Sequence, residues 1–304
     1  LVKHSTRQKV LEIIKETGYV PNYLGRHLRK SRTNKILAVI PSVSNQFYSK
    51  IISAMEREAR KRGYTVLISM SHSDRKIEEE NLKMLYNRVV DGIVLFSSKL
   101  SKEEINNLAM EHPLVQCSEY IENSVSDIVS IDNEQAAFDA VSFLVGEGHK
   151  RICYFGVSEK YYSAKQREKG YKRALAEKNI KTGNKFIFKA GYSYKDGENM
   201  ARDMHVKFSD KMPDAIFCIS DSIAMGAIKY FLENGIKVPE DICVIGFDNT
   251  SVSKVFYPPL STVAQPQEQI GKEAVDLLID RIEDRDRKFV FRILPHELVL
   301  RKTT

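Results

Sequence analysis

A chain of 304 residues exceeds what one hydrophobic core usually supports, so two domains of roughly 100 to 150 residues each are expected. No apolar run approaches the roughly 20 residues that cross a bilayer, and Leu1 to Lys9 lack the apolar stretch of a secretory signal, which makes the cytoplasm the default location. The net charge of +7 is unevenly placed: residues 1 to 35 hold nine Lys and Arg against Glu12 and Glu16, and the remainder is balanced. Such a basic arm on a neutral globule either meets a polyanion, nucleic acid being the obvious one, or is a solvated face.

In chain order, Ser5-Thr6-Arg7-Gln8 has capping-box spacing, and Val10, Leu11, Ile13 and Ile14 form a helical apolar stripe that stops at Gly18. After Pro21 a second short helical segment is expected, with Asn22 as N-cap, Leu24 and Leu28 on one face and an almost wholly basic opposite face. From residue 36 apolar runs alternate with amphipathic helices: ILAVI, a helix over 48–62, TVLIS, a helix over 77–89, GIVLF, a helix over 102–111, and PLVQC. A second series follows: a helix over 134–146, RICYFG, a helix over 164–178, FIFKA, a helix over 196–208, AIFCIS, a helix over 223–234, and ICVIGF. This rhythm marks βαβ units, so two doubly wound, Rossmann-like α/β halves lie in tandem.

The tail, a helix over 267–284 and the strand-like FRILPHELVL, is needed by neither half. If it returns to the first half, the chain crosses between the halves several times, leaving a multi-strand hinge and a cleft where strand-end loops gather. Cys117, Cys153, Cys218 and Cys243 each sit in an apolar run without metal-type spacing, as buried reduced thiols do. The seven histidines show no metal spacing, and GxGxxG after the first strand, GxSxG and the P-loop are all missing, so neither cofactor, metal nor catalysis is expected.

Several blocks, in order, closely resemble the lactose-repressor and galactose-repressor (LacI/GalR) family of transcriptional regulators: GYVPNYLGRHLR, VSNQFYSKII, DGIVLF, VSIDN, EGHKRICYFG, SAKQREKGYKRAL, FCISDSIAMGAI, VPEDICVIGFDN, YPPLSTVAQP and LPHELVLRKTT. The resemblance implies a periplasmic-binding-protein-like type I sensor of two parallel-sheet subdomains, residues 35–133 with 265–292 and 134–264 with 293–304. Residues 1–34 would then be a remnant of a helix-turn-helix domain, whose recognition helix normally precedes such a segment, plus a hinge helix at 22–30. As given, the chain would not read operator bases in the major groove.

By the same resemblance the hinge helix orders on DNA, paired with its mate in a homodimer. Leu28 wedges a minor-groove step, Gly25 allows close approach, and Asn22, Arg26, His27, Arg29 and Lys30 line phosphates or the groove floor. The family's effector is a sugar or sugar derivative. Phe47 and Tyr48 match rings of its ligand cleft, although a core role for one of them stays open. Arg167, with Ser163 in the same SAKQREKGY block, matches the ligand-gripping arginine, and Asp248 the hydroxyl-accepting carboxylate; a mutual salt bridge between Arg167 and Asp248 is the alternative.

Ser220 and Asp221 stand where Asn-Asp is usual, and Ser118 replaces a common Asp. Tyr192 matches a stacking aromatic only with a one-residue shift, and Gln265 could reach ligand or hinge. The function implied is a sugar-responsive repressor whose ligand changes hinge-helix spacing and operator affinity, in either direction. The rival is a sugar-binding receptor without a DNA role, which would not need PNYLGRHLRK.

Overall fold

Runs such as Ile36–Ile40 and Ile152–Val157 are apolar on both faces of the strand, a pattern that survives only in a sheet covered by helices on each side. The computed structural model describes residues 3–18, 32–158, 161–180 and 183–304, and bears this out. The DNA-facing residues expected at Asn22, Gly25, Arg26, His27, Leu28, Arg29 and Lys30 lie outside the described residues.

Residues 1–34 and 35–304 are two separate units. In the first, helix α1 (His4–Thr17) ends at Gly18, which takes the left-handed conformation (φ 62°) a helix stop favours. Its N-cap is Lys3, without a side-chain cap, so Ser5 lies inside the first turn and the expected capping box does not form. None of its residues is buried; the stripe of Val10, Leu11 and Ile13 is exposed.

The second unit contains two six-stranded sheets. The first is built from β1 (Lys35–Ile40), β2 (Thr65–Met70), β3 (Gly92–Leu95), β4 (Leu114–Cys117), β5 (Asp127–Ile131) and β11 (Phe291–Leu294), in the order β2-β1-β3-β4-β5-β11, all parallel. Helices α2 (Phe47–Lys61), α3 (Arg75–Tyr86), α4 (Lys102–Glu111) and α9 (Gln267–Glu283) belong to this lobe.

The second sheet holds β6 (Ile152–Val157), β7 (Ile187–Ala190), β8 (Ala215–Cys218), β9 (Cys243–Asp248), β10 (Ser261–Ala264) and β12 (Glu297–Val299). Its order is β7-β6-β8-β9-β10-β12, with only β12 antiparallel. Helices α5 (Asn133–Gly146), α6 (Tyr162–Glu177), α7 (Tyr194–Lys207) and α8 (Asp221–Glu233) pack on it.

Among the described residues the expected helices form, each within a few residues of its expected ends, while the helix expected at 22–30 lies outside them; β5 and β10 carried no strand expectation. The tail segment FRILPHELVL is two strands rather than one, because Pro295 interrupts it and sends β11 and β12 to different sheets. The division expected after residue 292 therefore falls inside β11. The chain crosses between lobes three times, at 132–133, 265–266 and 295–296.

Two buried features fasten the returning tail. Asp127 at the start of β5 accepts from Arg281 Nε (2.9 Å) and the Val290 amide (2.9 Å), and pairs with Arg287 (3.0 Å). Gly271 of α9 lies so close to α2 that a Cβ there would meet the Ile51 carbonyl oxygen at 2.3 Å. All four cysteines are buried and unpaired.

Candidate ligand cleft

In each sheet the strand order reverses once, between β1 and β3 and between β6 and β8, and such switch points open a crevice at the carboxyl ends of the strands. The loops there face one another across a cavity of about 540 Å3. Nearly every strand contributes from its carboxyl end: Ser42, Ser44 and Asn45 after β1, Ser73 after β2, Ser97 after β3, Ser118 and Glu119 after β4. From the other lobe come Tyr161 and Ser163 after β6, Tyr192 and Tyr194 after β7, Ser220 and Ser222 after β8, Asp248 closing β9 and Gln265 after β10.

Four of these residues, Ser73 (φ 56°), Ser97 (64°), Ser118 (65°) and Asp248 (112°), hold a positive φ that costs a residue with a Cβ. Strain of that kind gathers where loops are shaped around a ligand.

Phe47 and Tyr48 open α2, with the Phe47 amide bonded to Asn45 Oδ1 at 3.0 Å. Both line the cavity and both are buried; Tyr48 meets Phe47 and Phe96 edge-to-face, at 5.3 and 5.5 Å between ring centres. They thus serve core and cavity wall together. Burial pushes the Tyr48 hydroxyl well above its ordinary range, against the pull of the Ser97 hydroxyl, so it stays neutral. On the facing lobe Tyr161 and Tyr192 lie 5.8 Å apart between ring centres.

Arg167, buried in the second turn of α6, donates from Nε to Asn133 Oδ1 (2.9 Å) and from a terminal nitrogen to the Ile219 carbonyl. Its guanidinium plane rests 3.6 Å from the Phe247 ring centre. Its fork is therefore oriented by the protein's own groups. Among the described residues it makes no direct ion pair with Asp248, which instead accepts from Gln265 Nε2 at 2.7 Å. Burial and the Asp221 charge push the Asp248 carboxyl up to about 8, against the opposing pull of Arg167 and Gln265. At neutral pH that group is largely a neutral acid, able to donate and to accept. Gln267 Nε2 bonds the Asp248 carbonyl at 2.8 Å, so Gln265 and Gln267, at the second crossing, hold both ends of this residue.

Asp221 is the one expected ligand residue that does not line the cavity. It opens α8 behind the wall, accepting from the Thr250 amide (2.7 Å), Thr250 Oγ1 (2.9 Å) and Thr262 Oγ1 (2.6 Å). Burial raises its carboxyl to about 6. Ser220 lines the cavity while its Oγ caps α8 by accepting from the Ile223 amide at 3.3 Å.

The lining residues without a sequence expectation include Glu119, Ser97, Tyr161 and Tyr194. The signal that could have found them is position: each follows the carboxyl end of a strand in the doubly wound pattern.

Residues 141–304 match the family model described as a periplasmic binding protein-like domain. The HTH-type transcriptional repressor CytR of Escherichia coli K12 is 33% identical over 307 aligned residues, covering 100% of this chain and 89% of its own length. Among solved structures, the transcriptional regulator CelR–cellobiose complex superposes with a TM-score of 0.81 at 26% identity, over 100% of this chain and 92% of that one. A LacI family transcriptional regulator from Lactobacillus casei with bound sucrose gives 0.80 at 25%, over 89% and 99%.

Proposed function

The chain belongs to the LacI family of transcriptional repressors, and we propose that it is a sugar-responsive one, whose effector sits in the cavity between the lobes and alters operator affinity. The observation that carries this is convergence: nine of the ten residues expected at the ligand meet around one cavity, drawn from both lobes.

Aromatic rings offer faces to the C–H side of a sugar, while a fixed guanidinium, a neutral acid, an amide and several serine hydroxyls offer donors and acceptors for its hydroxyls. Arg167 already spends two of its donors on the protein, which favours an uncharged sugar over a sugar phosphate. Two solved neighbours hold disaccharides, cellobiose and sucrose, in the same fold. A ligand touching both lobes stabilises their closed arrangement, and a coupling of about 1–3 kcal/mol to the DNA-binding segment suffices to change operator affinity usefully.

On this reading the working lobes are residues 35–133 with 265–294 and 134–264 with 295–304, and the protein acts as a homodimer, because paired hinge helices require a two-fold partner. Operator DNA is its partner, the cytoplasm its place, and it binds its sugar without turning it over.

The test is a thermal-shift screen against neutral mono- and disaccharides and their phosphates. A ligand at 100 times its dissociation constant adds roughly 2.7 kcal/mol of stability. We expect at least one neutral sugar to raise the melting temperature and Arg167→Ala to remove the shift while leaving the fold intact. A panel with no binder, or a shift that survives Arg167→Ala, overturns the assignment.

A further inference from the structure

Helix α6 carries both Ser163 and Arg167 into the cleft, yet its own N-cap, Tyr161, has no side-chain cap to give. The free amides of its first turn are met from the opposite lobe. Glu119 accepts from the Tyr162 amide at 2.5 Å and from the Ser163 amide at 3.2 Å. A carboxylate at this end of a helix satisfies orphan donors and faces the positive end of the helix dipole.

The loop that delivers Glu119 is shaped for the reach. Ser118 takes a left-handed φ of 65°, held by its amide on the Val129 carbonyl (2.8 Å) and by Ser130 Oγ donating to its own carbonyl (2.9 Å). The next residues follow it across: the Tyr120 ring lies 4.8 Å from that of Tyr162, and Glu122 meets Lys165 at 3.4 Å. On the other flank Tyr161 accepts from Lys99 Nζ at 3.2 Å, its ring lies 4.4 Å under that ammonium, and its hydroxyl bonds Ser73 Oγ at 3.3 Å. The start of α6 is thus gripped by lobe 1 from two sides.

We propose that Glu119 is a positioning residue that clasps the lobes together, its lobe 1 carboxylate capping the very helix that presents Ser163 and Arg167 to the ligand. Its importance for the effector response rests on the sugar-responsive reading above. The clasp itself joins protein atoms only. Burial pushes the Glu119 carboxyl up while the Ser163 and Tyr162 bonds pull it down, as befits a group held in the cleft rather than in solvent. With both oxygens bonded to backbone amides of α6, Glu119 bears on the ligand through the helix that carries Ser163 and Arg167.

The test reads the width of the cleft in the absence of sugar, so it is independent of whether the sugar reading holds. Spin labels go on Lys76→Cys and Lys195→Cys in the full chain. These are exposed positions at the starts of α3 and α7, which follow the edge strands β2 and β7, at the opposite edge of each sheet from the tail strands, and the four native thiols are buried. The parent should give one short, narrow distance distribution. Glu119→Ala should shift it to longer, broader distances, and Glu119→Gln, whose amide oxygen still accepts, should restore most of the short population. Tyr161→Phe, which keeps the ring but loses the hydroxyl contacts, should broaden it less. A parent that is already wide, or a Glu119→Ala distribution matching the parent, overturns the clasp. Should Glu119→Ala fail to fold, a Glu119→Gln distribution as wide as Tyr161→Phe or wider overturns it equally.

Discussion

Asp248 lines the cavity as a buried carboxyl. It sits at the end of β9 with a φ of 112°, accepts from Gln265 and is pushed up to about 8, chiefly by burial. In the unfolded chain its carboxyl titrates near 3.8, so between about 4 and 8 the folded state binds the extra proton. Its contribution to stability is therefore full at low pH and falls as pH rises toward 8, levelling off above. Asp248→Asn, which mimics the neutral acid, should remove that loss. Thermal melts at pH 6 and pH 9 should show the variant gaining on the parent at the higher pH, and parallel shifts for both proteins would contradict it.

The types and spacing of Arg167 and Asp248, read through the family resemblance, led to the cavity; what each touches was not legible. Arg167 is held by Asn133, Ile219 and Phe247, far apart in sequence. Asp221 shows the converse. By the family resemblance Ser220-Asp221 reads as a ligand pair, yet the single-residue step into α8, about 100° around its axis, aims Asp221 at Thr250 and Thr262 instead.

Among the elements, α6 depends on one glycine. A Cβ at Gly170 would stand 2.2 Å from the Glu134 carbonyl oxygen and 2.9 Å from Ala137 Cβ, so α5 and α6 cross in backbone contact. Gly170→Ala must push α6 off α5, at a cost of about 1–3 kcal/mol as for other overpacked contacts. Urea denaturation should register that loss, together with weakened sugar binding because Arg167 rides on the same helix; unchanged stability would show that the crossing can relax.

The tail helix has its own anchor in Asp127, fully buried between Arg281 and Arg287. Asp127→Ala strands a buried guanidinium and should cost about 3–5 kcal/mol, read as a lowered denaturation midpoint. The helices and most strands were legible because their apolar periods are strong. β5 (DIVSI) and β10 (STVA) were not, being short and carrying polar residues that only the sheet context buries. Nor could periodicity divide β11 from β12, since the apolar pattern runs through Pro295; partner choice, a long-range matter, decides it.

For the whole molecule the argument concerns where charge and ligand chemistry reside. Six of the seven net positive charges lie in residues 1–34, and the unit from 35 to 304, nearly balanced in charge, contains the cavity lining. Affinity for a polyanion should therefore belong to the first unit and sugar recognition to the second. Contacts to about six phosphates would cost roughly a thousandfold in affinity between 50 and 200 mM salt. A form carrying residues 1–34 should accordingly bind duplex DNA with a steep salt dependence, whatever its sequence, while residues 35–304 alone should lose that binding and keep the sugar-induced rise in melting temperature. Equal duplex affinity for the two forms, or the same affinity at low and moderate salt, would remove DNA from the account and leave a sugar-binding protein of the same architecture.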